Sequence, residues 1–332
     1  MGPPPRPAAP TRARTFDWFF LGLGAAIFLA WIYPHGGASG GWMIPEVTGK
    51  VGVALVFFVQ GAGLSFAALR AGSLRWTLHL LVLGTTYGLF PLLGLGLFAI
   101  GTGRWPSELR LGFFFLCAVP STISSSVIFT AIARGNVAAA LWSATASNLL
   151  GVVLTPLWLG IVLQTSGRAL PLGQVILGLA GGLVLPLFLG QLARRWIAGW
   201  MARRGALASG INRGIILFLV HFSFCDAFAR NVWGSLGLGS LAIIAAVSTA
   251  LLALSIGWLL LGSRALHLSP EERITAVFCG SQKTLAAGIP MAQLIFQGHP
   301  ALGIILLPLL AYHPIELVAS GYLANRWARR KG

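Results

Sequence analysis

The chain has 332 residues, of which 56% are hydrophobic and only 9% charged, and it carries a formal charge of +16. A mean hydropathy of +0.83, set beside the roughly 25% of charged residues in an ordinary soluble domain, excludes a water-soluble globular protein. Nucleic acid is excluded as a partner, because the basic residues punctuate apolar runs instead of clustering on one exposed face.

Residues 1–15, MGPPPRPAAPTRART, are rich in proline and arginine and lack the apolar core of a signal peptide. They are expected to form a disordered cytoplasmic tail. From there, apolar runs long enough to cross a bilayer fall at about 17–33, 47–67, 77–101, 110–132, 136–164, 172–193, 212–230, 236–261, 272–296 and 301–324. The expected fold is therefore an all-α polytopic membrane protein of ten transmembrane helices. Lys50, Arg104, Arg110, Arg168 and Arg230 then lie on one side of the bilayer, Lys283 lies inside it, and the remaining lysines and arginines share the side of both termini. The positive-inside rule makes that side the cytoplasm, with the chain in the inner (plasma) membrane and a basic cytoplasmic tail at 327–332.

Ten spans divide into two five-helix repeats, 16–164 and 165–326. An odd-numbered half that is repeated must return inverted, an arrangement common in secondary transporters, whose sites lie at interrupted apolar segments in matching positions of the halves. The fourth and ninth spans are those positions. The fourth carries Pro120, Ser121, Thr122, Ser124, Ser125 and Ser126, and the ninth carries Cys279, Gly280, Ser281, Gln282, Lys283 and Thr284. Proline removes a backbone donor, and freed backbone groups are tolerated in a membrane only inside protein or against a water-filled cavity. Both spans are expected to be discontinuous.

The costliest of these residues is Lys283, since a charge at mid-bilayer costs at least about 2.5–3.5 kcal/mol on insertion scales. It sits about 15 Å into its span and Glu316 about 12 Å into the tenth, at 1.5 Å per residue, so Glu316 is its expected charge partner. Lys283 either receives an anionic substrate, replaces a coupling cation, forms a locking ion pair, or snorkels toward the membrane surface. In the fifth span Ser143 and Ser147 share a face, as do Thr145 and Asn148, and Asn148 is expected to face the interior. Asp226 stands four residues before Arg230 and is expected to pair with it. Cys117, Cys225 and Cys279 lie in apolar segments with no metal-binding or disulfide spacing. No nucleophile-and-base pair appears, so the chain is not expected to be an enzyme and calls for no cofactor. The tryptophans Trp18, Trp42, Trp76, Trp105, Trp233 and Trp327 fall near span ends, as an interfacial belt would.

Several stretches together resemble the bile acid:sodium symporter superfamily. They are Phe57-Phe58-Val59-Gln60-Gly61 with Leu69-Arg70-Ala71-Gly72, Pro120-Ser121-Thr122-Ile123-Ser124-Ser125, Gly135-Asn136, Phe224-Cys225-Asp226, Phe278-Cys279-Gly280-Ser281-Gln282-Lys283 and Tyr312-His313-Pro314. The stretch from Gly280 to Lys283 is similar to the divergent bile-acid:sodium-symporter-like branch, which includes the seventh member of the human solute carrier 10 group. The resemblance implies crossing helices four and nine and sodium-coupled uptake of organic anions. It also implies sodium ligands among Thr122, Ser125, Ser126, Thr145, Ser281 and Gln282. The substrate would then meet Lys283, Asn148, Ser124, Ser125, Ser126 and Thr284. The superfamily's bile-acid transporters place a glutamate just before the glutamine, where this chain has Val277, Phe278 and Cys279.

The sequence thus points to a secondary transporter of a small organic anion working by alternating access, with sodium as the coupling ion that the resemblance implies. The alternative is a membrane regulator without transport activity that modulates calcium entry or cell-envelope processes.

Overall fold

The computed structural model describes residues 18–63, 72–165, 172–231 and 237–330. The stretch 1–15 and the residues Arg70, Arg168, Trp233 and Lys331 lie outside that range. Among the described residues every regular element is helical, as apolar segments in a bilayer require, because helices satisfy their own backbone groups.

In chain order the helices are α1 (Trp18–Ile32), the single turn α2 (Pro34–Gly37), α3 (Pro45–Gly63), α4 (Trp76–Gly84), α5 (Phe90–Ile100), α6 (Ser107–Ala118), α7 (Ser124–Ile132) and α8 (Val137–Thr165). They continue with α9 (Leu172–Leu179), α10 (Leu185–Arg203), α11 (Gly205–Ala229), α12 (Leu238–Ala265), α13 (Pro270–Ser281), α14 (Leu285–Ile295) and α15 (Leu302–Ala328). A π turn at Thr85–Leu89 joins α4 to α5, and another at Ala180–Val184 joins α9 to α10.

Six helices among the described residues are long and apolar enough to cross a membrane: Trp76–Ile100, Val137–Leu163, Leu177–Met201, Gly205–Ala229, Gly239–Ala265 and Leu302–Ala328. The four other expected spans differ for physical reasons. α1 is only 15 residues long, α3 is diluted by Glu46, Lys50 and Gln60 within its 19 residues, and the fourth and ninth spans are each cut into two short helices. The end of the tenth also moves, since α15 continues to Ala328 and so takes in the start of the expected basic tail.

Large apolar side chains face outward, among them Leu80, Leu177, Leu261 and Tyr322, all more than 60% exposed. In water such a surface would be an aggregation liability, whereas in a bilayer it faces lipid. α3 and α10 touch backbone to backbone: a Cβ on Gly61 would overlap the Leu187 carbonyl oxygen, and one on Gly190 that of Phe58. Close helix approach through small residues is the usual means of association in lipid. A buried core joins α6, α14 and α15 through Phe114, Phe115, Leu285, Ile289, Leu306 and Tyr312.

The loops are held by side-chain caps. Asn136 accepts the Ala139 N–H at 3.0 Å to start α8, and Ser269 and Glu272 form a capping box that starts α13. The Asp226 carboxylate accepts the Ser39 N–H at 2.8 Å and its hydroxyl at 2.9 Å. It therefore pins the loop after α2 and does not pair with Arg230 as its spacing had led us to expect. Trp327, at the end of α15, is 8% exposed and packed edge-on against Phe278.

Candidate functional site

Pro120 has no N–H and disfavours helical backbone at the residue before it. Val119 is accordingly extended, at φ −73° and ψ 153°, and α6 stops at Ala118. The second interruption contains no proline. There Gln282 and Thr284 are extended, and the Thr284 side chain accepts the Ala287 N–H at 3.3 Å, capping α14.

Each interruption exposes backbone groups that have no helical partner, and the two interruptions satisfy one another. The Thr284 N–H donates to the Pro120 carbonyl at 3.1 Å, and the Ser121 hydroxyl donates to the Cys279 carbonyl at 2.5 Å. Neighbouring helices supply the rest. The Ala118 carbonyl accepts from Thr155 Oγ1 at 2.9 Å, that of Ser121 from Asn148 Nδ2 at 2.7 Å, and that of Ser281 from the Tyr312 hydroxyl at 2.6 Å. The Ser121 N–H donates to Ser147 Oγ at 3.0 Å.

Lys283 completes the junction and is 0% exposed. Its ammonium donates to the carbonyls of Val119 at 2.9 Å and Cys117 at 3.1 Å, and lies 3.5 Å from that of Thr86. The Phe90 ring centroid is 4.1 Å away, a cation–π contact. Pro91 explains why Thr86 is available: lacking an N–H, it leaves carbonyls about one turn back without donors. Thr86 finds Lys283, and Tyr87 finds Trp158 Nε1 at 3.0 Å. The ammonium also sits at the carboxyl end of α6, where the helix dipole favours a cation.

Glu316 reaches Lys283 differently from the expected ion pair. Its Oε2 accepts the main-chain N–H of Lys283 at 2.8 Å, while its Oε1 meets His313 Nδ1 at 2.6 Å. The ammonium is left to the carbonyls, because the extended backbone at the interruption turns its N–H toward α15.

The other predicted residues divide. Ser125 Oγ donates to Gln282 Oε1 at 2.9 Å, and Gln282 Nε2 donates to Ser320 Oγ at 3.0 Å, which ties α7 to α15 through the second interruption. Ser126 returns its hydroxyl to the Thr122 carbonyl and Ser281 to that of Val277. Thr122, Ser126, Thr145, Asn148, Ser281, Gln282 and Thr284 are buried. Thr145 Oγ1 has no hydrogen-bond partner. Ser124, by contrast, is exposed at the first turn of α7. Ser143 is bonded to His79 Nδ1 at 2.7 Å, away from the junction. Sequence reasoning missed Thr86, Phe90, Thr155 and Ser320. Pro91 was the available signal for the first two.

Such a junction of two interrupted helices, closed around a fixed cation, suits a transporter better than a catalyst. The sequence pattern of the SBF-like CPA transporter family matches residues 17–329. The chain belongs to that family. Its relatives include the protein PA2026 of Pseudomonas aeruginosa, 39% identical over 95% of this chain and 94% of its own. YfeH of Escherichia coli, whose name proposes a symporter, is 38% identical over 96% of this chain and 94% of its own. The sodium/bile acid cotransporter 7 of Rattus norvegicus is 31% identical over 95% of each. The family membership agrees with the resemblance carried by the motifs and makes this chain a multi-pass membrane protein of a transporter family, not an enzyme.

Proposed function

We propose that the chain is a secondary transporter that moves a small organic anion across the inner membrane by alternating access. It does so through ten spans arranged as inverted halves, 16–164 and 165–326, with both termini cytoplasmic. The packing supports the inverted halves, because pairs of neighbours recur as images of one another. α1 packs on α11 as α10 packs on α3, α5 on α6 as α12 on α13, and α6 on α15 as α13 on α8. The two interrupted spans are fourth in their respective halves.

The observation that carries the reading is the Lys283 ammonium held by the Cys117 and Val119 carbonyls. An ammonium surrounded by main-chain carbonyls at a helix carboxyl end takes the part that a coupling cation would otherwise play, and needs no sodium at that position. The substrate anion is drawn to the opposite kind of helix end. That is the amino end of α7, where Ser124 is exposed and the dipole favours negative charge. Sodium coupling is a second reading, favoured by Thr145, whose buried hydroxyl lacks a partner and suits a hard cation.

Uptake of a radiolabelled bile acid and of short carboxylates into proteoliposomes tests both, with and without a sodium gradient. Accumulation without sodium is expected. Accumulation only with sodium would give the second reading precedence, and uptake of no anion would leave the non-transporting regulator.

A further inference from the structure

At the ends of α12, α13 and α15, on the side where the first turn of α13 begins, Arg264, Arg273, Arg326 and Arg330 line a pocket of about 410 Å³ together with Leu260, Leu323 and Trp327. Four guanidinium groups in one pocket repel one another unless an anion joins them. Among the described residues no carboxylate pairs with any of the four. The nearby acids are engaged elsewhere: Glu272 holds Arg75 at 3.3 Å and caps α13, and Glu271 accepts the Ser269 hydroxyl at 2.8 Å. Arg273 Nε is buried without a hydrogen-bond partner, and the Arg330 guanidinium lies 5.4 Å from the Trp327 ring centroid. Guanidinium suits phosphate because its planar fork can donate two parallel hydrogen bonds.

The rest of the pocket indicates where the phosphate comes from. Arg264 and Arg326 occupy the last turns of two membrane-crossing helices, α12 and α15. Leu260 and Leu323 form apolar walls, and their neighbours Leu261 and Tyr322 are 65% and 66% exposed, so the pocket adjoins a lipid-facing surface. A basic pocket between helix ends beside an apolar surface fits a headgroup whose acyl chains run down the helices.

We propose that this pocket binds the phosphate headgroup of an anionic phospholipid, clamping α12, α13 and α15 together at the membrane surface. α13 carries Arg273 in its first turn and ends at the Lys283 junction, so a bound lipid bears on the helix that leads into the site. The proposal does not depend on which anion, if any, is transported.

The test uses the purified full chain in detergent, with thermal unfolding and native mass spectrometry in phosphatidylglycerol, phosphatidylcholine or inorganic phosphate. Phosphatidylglycerol should raise Tm above phosphatidylcholine and be retained in the spectrum. The double variant Arg326→Gln/Arg330→Gln, changed at exposed positions, should lose about 30-fold in affinity for phosphatidylglycerol, one step for each charge removed. The control Arg203→Gln/Arg204→Gln, which removes the same charge outside the pocket, should keep it. Equal Tm in both lipids, equal loss in both double variants, or a full effect from inorganic phosphate alone would each overturn the assignment.

Discussion

Replacing Lys283 with methionine, an unbranched side chain one atom shorter and without charge, tests the role of the ammonium most directly. The wild-type group makes bonds of 2.9 and 3.1 Å to the Val119 and Cys117 carbonyls. Hydrogen bonds involving a charged group contribute about 1.5–3 kcal/mol each, so their loss removes about 3–6 kcal/mol. Against this, the methionine no longer has to desolvate an ammonium, a relief of several kcal/mol. The two terms largely cancel, and the folded protein should lose no more than about 3 kcal/mol. Transport should respond even where stability does not, because the α6 terminus is left with no cation: uptake should fall at least about tenfold, which corresponds to about 1.4 kcal/mol. Uptake into proteoliposomes measures the second effect and detergent Tm the first. A shortened variant, Lys283→Ala, should recover part of its uptake when ethylammonium is added, since that ion can occupy the vacated position. A methionine variant that transports at the wild-type rate would refute the assignment of Lys283 as a fixed cation.

Other consequences can be measured separately. Gly61→Ala and Gly190→Ala each force the α3 and α10 backbones apart and should lower stability by about 1–3 kcal/mol, read as a fall in Tm. Tyr312→Phe leaves the Ser281 carbonyl without its donor; a loss of about 1–3 kcal/mol is expected in the same assay, and an unchanged Tm would mean that another group had taken the bond. Arg75→Ala removes an ion pair whose arginine is 60% exposed, and such pairs contribute about 0–1 kcal/mol, so neither Tm nor uptake should move appreciably.

The interrupted helices were legible from local chemistry. Pro120 could not continue a helix, and a lysine beside glycine and glutamine in an apolar run could not face lipid. What surrounds the lysine was not legible. Glu316 was the nearest opposite charge by depth along the chain, yet it took the Lys283 N–H and left the ammonium to main-chain oxygens. Side-chain types announce themselves in a sequence, whereas carbonyls are present at every residue and become ligands only where a helix stops. The same limit applied to Asp226, whose partner Ser39 is 187 residues away and was hidden behind Arg230 at helical spacing.

Composition and the spacing of apolar runs determined by themselves that this chain is helical and lives in a bilayer, and Pro120 determined where the first helix of the fourth span must stop. Those properties follow from backbone geometry and from transfer out of water, which act on each segment separately. Only the tertiary structure decided that the two interruptions meet, that Pro120 accepts from Thr284, and that Cys117 and Val119 close around Lys283. Those facts depend on which carbonyls are left without donors and which helices lie against them, and neither is settled until the whole bundle has packed.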